Sequence, residues 1–163
     1  MITALFAVDD SNGMGLQGTM PWPRNREDMI WFRNKTQNHA VVMGKKTWES
    51  TDMPIPLPKR VNVLITHNFI DREDIIQLRG DICEALLHLT NEHKFEEIFV
   101  IGGPQILMQA KPVIDQAFIT RIPGEHMNDT IIDLDQFLDG FDLKHTQNLN
   151  TCRIEEYTKC KNI

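Results

Sequence analysis

At 163 residues, with 41% hydrophobic and 25% charged side chains, the chain has the length and mix of one globular domain that buries a sizeable core. A formal charge of −6 argues against a general binder of nucleic acid or anionic membrane, because phosphate surfaces call for clustered Lys and Arg. Cys83, Cys152 and Cys160 form no Cys-x-x-Cys pair and fit reduced thiols in a cytoplasmic protein, and the six histidines show no ligand spacing, so no metal site is expected.

In chain order, Ile2 to Val8 is an apolar run expected as a buried strand; it lacks a basic flank and is too short to cross a bilayer. Asp10 to Thr19 follows as a long loop with Gly13, Gly15 and Gly18, readable as a lid or as a plain surface loop. Pro21 and Pro23 flank Trp22 and push the residues before them out of the α region, so a helix starts no earlier than about Arg24 and runs to Thr36. Asn25 is its expected N-cap and Asp28 its N3 residue, with Met29, Ile30, Trp31 and Phe32 as buried material. Taken alone, Glu27 and Asp28 read either as first-turn acids favoured by the helix dipole, or as containing one acid whose pKa is raised against an apolar pocket.

Further strands are expected at Ala40 to Met43, Val61 to Ile65, Glu97 to Ile101 and Ala117 to Ile122. Helices are expected at Lys46 to Ser50, Asp81 to Asn91 and Pro104 to Ala110. Two strand-to-helix junctions, Gly44-Lys45-Lys46-Thr47 and Gly102-Gly103-Pro104, combine glycine with a helix start, which suits either a tight turn or a phosphate-bearing ligand at the carboxyl ends of adjacent strands. Asp142 to Thr146 and Thr151 to Lys159 read as a closing hairpin. The whole is an α/β domain over residues 1–163, with a mostly parallel mixed sheet flanked by helices and an antiparallel hairpin at its C-terminal end.

Met20-Pro21-Trp22, the acid at 28, Phe32, Met43-Gly44-Lys45-Lys46-Thr47-Trp48-Glu49-Ser50, Pro56-Leu57-Pro58-Lys59-Arg60, Ile101-Gly102-Gly103, Thr120 and Asp129-Thr130 occur in the order and spacing of a known family. The chain resembles dihydrofolate reductases of the bacterial or phage kind over nearly its whole length. The resemblance implies a single monomeric domain that reduces 7,8-dihydrofolate with NADPH, acts on small molecules rather than nucleic acid or membrane, and is open to antifolate inhibitors. It implies Asp28, Trp22 and Met20 at the chemistry, with Asp28 binding the pterin edge and assisting protonation at N5. Leu5, Phe6, Ala7, Phe32, Ile101 and Thr120 would line the pterin pocket, with Thr51 at its mouth, Leu57 on the aminobenzoyl ring and Arg60 on the glutamate α-carboxylate.

The resemblance further assigns NADPH to Ala7, Met14, Gly15, Gly18 and Thr19 on one side. Gly44, Lys45, Lys46, Thr47, Thr66 and His67 belong to the same set, with Ile101, Gly102, Gly103, Gln105 and Ile106. Asp129 would tether the lid, and Glu27 would be a solvated first-turn acid. Departures from the family pattern are the longer Pro23 to Asp28 segment, Leu107 and Gln105 for a usual Tyr and Arg, Thr51, and a short insertion at Met53 to Pro56. A riboflavin-pathway pyrimidine reductase of the same fold should lack the Pro-Trp turn and Arg60, and a catalytically idle binding protein would keep the pockets without turnover.

Overall fold

A computed structural model describes residues 1–52, 56–93 and 95–161; most of the insertion at Met53 to Pro56, namely residues 53–55, lies outside them. The chain forms β1 (Ile2–Val8), β2 (Gly13–Gly15), α1 (Arg26–Thr36), β3 (Ala40–Gly44), α2 (Lys45–Trp48), β4 (Val61–Ile65) and β5 (Ile76–Leu78). It continues through α3 (Ile82–His93), β6 (Ile98–Gly102), α4 (Pro104–Ala110), a 3-10 turn at Lys111–Val113, β7 (Gln116–Arg121), β8 (Thr130–Ile131), α5 (Leu134–Leu138), β9 (Phe141–Asn148) and β10 (Arg153–Lys159).

Eight strands make one sheet in the order β5-β4-β3-β6-β1-β7-β10-β9, while β2 and β8 pair separately. Every pairing from β5 across to β7 is parallel, and the antiparallel β10 and β9 close one edge. β3 and β6 are buried along their full length, as parallel strands covered on both faces must be. Alternate residues of β1 feed two cores: Ile2, Ala4, Phe6 and Val8 pack with residues of α3, α4 and α5, and Leu5 packs with Trp22 near α1.

Local chemistry places the helix ends. Asn25 caps α1, its Oδ1 accepting from the Asp28 N–H at 3.0 Å, and Asp81 does the same for Glu84 at 2.9 Å. Pro104 occupies the first turn of α4. Of Met29, Ile30, Trp31 and Phe32, expected as buried material, Ile30 is 48% exposed and the other three are half-buried, because the helix turns the 28, 32 and 36 row toward the sheet and position 30 away from it. The hairpin turn sits at residues 149–152 rather than 147–150, closed by the Leu149 N–H to the Cys152 carbonyl at 2.9 Å.

The short β2, β5, β8 and α5 were not expected. α5 contributes Phe137, fully buried, edge-on to Phe6 at 5.4 Å and stacked on Phe141 at 6.0 Å. Phe137→Ala should cost about 3–5 kcal/mol, the range for emptying an aromatic core site. Urea denaturation checks this, and a loss under about 1 kcal/mol would show that the site collapses around the void.

Candidate active site

The carboxyl ends of β1, β3 and β6, which lie together in the sheet, open onto a cleft of about 1490 Å³. Leu5, Phe6 and Ala7 come from β1, Asp28 and Phe32 from α1, Ile101 from β6 and Thr120 from β7. Met14, Gly15, Gly18, Thr19, Met20 and Trp22 line it from the glycine loop, and Lys46, Thr47 and Gly103 from the two strand-to-helix junctions. Thr51, Leu57 and Arg60 complete the set that the cleft gathers from the expected residues. Gly44, Lys45, Thr66, His67, Gly102, Gln105 and Ile106 are not among its lining residues. The reasons are local. Ile106 Cγ1 would be 2.8 Å from a Cβ on Gly44, so it fills the gap between α4 and β3, and Thr66 turns its hydroxyl to the Asn68 carbonyl at 2.8 Å. Lys45 faces Glu49 at 3.8 Å on the exposed side of α2, and Leu107 is buried in the core.

Asp28 is only 7% exposed, and the ion pairs of the described residues do not include it. Burial raises its carboxyl above the ordinary value, with an opposing contribution from the Thr120 hydroxyl. Glu27, one residue earlier, does not line the cleft and is the solvent-facing first-turn acid expected, with hydrogen-bond partners the sequence did not announce. Its carboxylate accepts from the Thr151 hydroxyl and N–H and from the Asn150 N–H, and those bonds hold it below the usual range.

Two buried donors lack a partner among the described residues: the indole Nε1–H of Trp22 and the Nε–H of Arg60. A polar group buried this way costs free energy unless a ligand or water completes it. The Arg60 guanidinium lies 5.8 Å from the Phe32 ring centre, and burial, then the neighbouring Arg33 charge, lowers its pKa. Asn62, which the sequence reading passed over, shapes this corner: its side-chain amide accepts from the Leu57 N–H at 2.8 Å and donates to the carbonyls of Leu57 and Arg60 at 2.9 and 3.2 Å.

The glycine loop lies against the cleft. Leu16 and Thr19 exchange backbone hydrogen bonds around Gln17 and Gly18, whose φ angles of 50° and 78° make this the left-handed turn that a glycine relieves. Asp129 holds it from outside, accepting from the Gln17 N–H at 2.9 Å and donating its own N–H to the Gly15 carbonyl at 2.9 Å. The Met20 N–H donates to the Asp52 carboxylate, and the Thr51 N–H to the Gly18 carbonyl at 3.4 Å. At the loop's base the buried Asp9 carboxylate accepts from the N–H groups of Ser11, Gly13 and His126 at 2.8–3.0 Å. Asp9 and Asp52 were also missed; an Asp two residues before a Ser is a recognisable Asx-turn signal, whereas the reach of Asp52 back to Met20 has no local signature.

The family model described as dihydrofolate reductase matches residues 1–159. The dihydrofolate reductase of Haemophilus influenzae is 34% identical over 77% of this chain and 74% of its own length, and that of Saccharomyces cerevisiae is 34% identical over 78% and 67%. A solved dihydrofolate reductase from Enterococcus faecalis, complexed with NADP(H) and RAB-propyl, superposes with a TM-score of 0.80 at 25% identity, covering 98% of this chain and 96% of that one.

The raised Asp28 carboxyl has a consequence for stability. A folded-state pKa above the unfolded one means the native state binds the extra proton, so stability is lost as pH rises from about 4 through the folded pKa. Asp28→Asn, which does not titrate, should therefore be more stable than the parent at about pH 7, with the gap closing below about pH 4. Urea midpoints at the two pH values decide it, and a variant less stable at neutral pH would show that the buried carboxylate is favoured as an anion.

Proposed function

The chain belongs to the dihydrofolate reductase family and reduces 7,8-dihydrofolate to tetrahydrofolate with NADPH; from that premise we propose that Asp28 is the group that binds the pterin edge and promotes protonation at N5. The observation that carries this reading is an acid 7% exposed, without a cation, in the cleft wall beside Phe32 and Trp22. A carboxyl raised by burial is poised for proton traffic nearer neutrality than an exposed one. Trp22 offers its unpartnered Nε1–H to a water next to that acid, so the proton has a relay to a ring nitrogen that Asp28 itself need not touch.

The residues present fit NADPH. Nothing lies within 4 Å of the Cβ position of Gly103, so the backbone there is open to a ligand, and Lys46 and Thr47 line the same cleft at the start of α2. When bound, NADPH supplies the hydride that goes to C6 of the pterin. Lys46 and Thr47 would meet its phosphates, Ala7 and Ile101 would border its nicotinamide end, and Met14, Gly15, Gly18, Thr19 and Met20 would exclude bulk water from above. Leu57 would pack on the aminobenzoyl ring, and Arg60 would take the α-carboxylate with the fork its Nε–H leaves unfilled. Thr51 would border the entrance.

The free thiols among the described residues support placing the enzyme in the cytoplasm, and no described helix is long and apolar enough to cross a membrane. We read it as a single-domain monomer.

Asp28→Asn should lower turnover by roughly two orders of magnitude, a general acid–base contribution, with NADPH affinity unchanged. In the parent the rate should fall as pH rises above the apparent pKa of the bound complex, and that limb should vanish in the variant. Steady-state kinetics across pH read both, and a variant with parental turnover would remove Asp28 from the chemistry. Arg60→Lys keeps the charge but loses the fork, so dihydrofolate should bind roughly 1.5–3 kcal/mol more weakly. Calorimetry with dihydrofolate measures that loss, and unchanged affinity in Arg60→Ala would reject the contact.

A further inference from the structure

The first turn of α1 is fastened to the β9–β10 turn by hydrogen bonds that the reaction as described does not use. Glu27 Oε1 accepts from the Thr151 N–H and hydroxyl, and Oε2 accepts from the Asn150 N–H at 3.2 Å. Asn25, whose Oδ1 caps the Asp28 N–H, donates from Nδ2 to the Thr151 carbonyl at 3.2 Å. The next residue of the turn, Cys152, is 5% exposed and packs in the core cluster that holds Leu5 and Trp22, two residues of the cleft wall. Burial, then the charges of Asp28 and Glu27, pushes its thiol up to about 11, so Cys152 stays a neutral thiol in that cluster. From these contacts we propose that Glu27 is a positioning residue for the reduction: by clamping residues 150–151 onto the start of α1 it fixes the Asp28 carboxyl in the cleft and seals the cleft behind it.

This inference rests on the reading of Asp28 given above. Glu27 suits the role because its carboxylate, held below the ordinary range by its Thr151 and Asn150 bonds, is charged at neutral pH and accepts from both residues of the turn. The ionisable groups on the elements that meet there are Asp28, Arg24 and Arg26 at the start of α1, and Cys152 and Arg153 in and after the turn, with Asp10 and Arg121 lining the small cavity beside it. Glu27 is in none of the ion pairs of the described residues, and its charge is not among the causes that shift Asp28.

The test compares pH profiles of kcat for the full chain and for Glu27→Ala, Thr151→Val and Asp28→Asn, with NADPH affinity measured alongside. If the clamp keeps water from Asp28, Thr151→Val, which loses the hydroxyl bond and keeps the two N–H bonds, shifts the falling limb slightly to lower pH, and Glu27→Ala shifts it the same way by about half a unit or more. That corresponds to about threefold slower turnover at neutral pH, where the rate falls tenfold per pH unit. NADPH affinity stays parental. Parental profiles in both variants, with Asp28→Asn impaired, overturn the clamp and leave the acid in place. A shift in Glu27→Ala with none at all in Thr151→Val, which loses the hydroxyl bond to Glu27, separates the effect from the grip on the turn and also overturns it. Parental turnover in Asp28→Asn removes the acid itself and the clamp with it. Should Glu27→Ala fail to fold, Glu27→Gln, which retains one acceptor oxygen for two backbone donors, carries the same comparison.

Discussion

Asp28 is held between two opposed physical demands. Its position in the first turn of α1 favours a negative charge through the helix dipole. Its burial in the cleft wall disfavours that charge, and burial wins, since the carboxyl is raised overall. The rest of the site preserves this imbalance. Phe32, Leu5 and Trp22 keep the wall apolar, and the ion pairs of the described residues leave the acid without a cation that would settle it as an anion. A cation beside it would lower the pKa and remove the proton-donor role proposed for it.

The glycine loop depends on carboxylates of the opposite kind. Burial alone would raise Asp9, yet hydrogen bonds from Ser11, Gly13 and His126 outweigh it and hold this carboxyl below the usual range. The N–H of Gln17 does the same, more simply, for Asp129. These acids stay charged through neutral pH and act as fixed acceptors that set where the loop lies. One chain thus has carboxylates held as anions around the loop and one raised by burial beneath it, and the difference is the number of N–H groups aimed at each.

Most of this was legible in the sequence where the controlling chemistry is local. The Pro-Trp-Pro turn, the Asn25 cap and the doubly buried strands were readable because they rest on neighbours in sequence or on unbroken apolar runs. The α/β architecture with an antiparallel edge followed from them, and the whole-length family match agrees with it. β2, β5 and β8, of two or three residues, and α5, of five, were not readable, because segments so short show no period. On the cofactor side, side-chain packing is what the sequence does not show. A motif names its residues but not which way a helix rotates, and packing turned Ile106 onto Gly44 and Leu107 into the core. Glu27 illustrates the same limit: its partners lie more than a hundred positions away, so only the folded chain shows that it grips the hairpin turn.

The central claim is that the fold separates two adjacent acids, lifting Asp28 and lowering Glu27. Carbon-13 NMR titration of the side-chain carboxyls, assigned by single substitution, measures this without relying on turnover. The account predicts an Asp28 carboxyl titrating clearly above the ordinary value of about 3.9, and a Glu27 carboxyl below its ordinary value of about 4.3. An Asp28 that titrates at or below the ordinary value, or a Glu27 that is the raised one of the two, would contradict it.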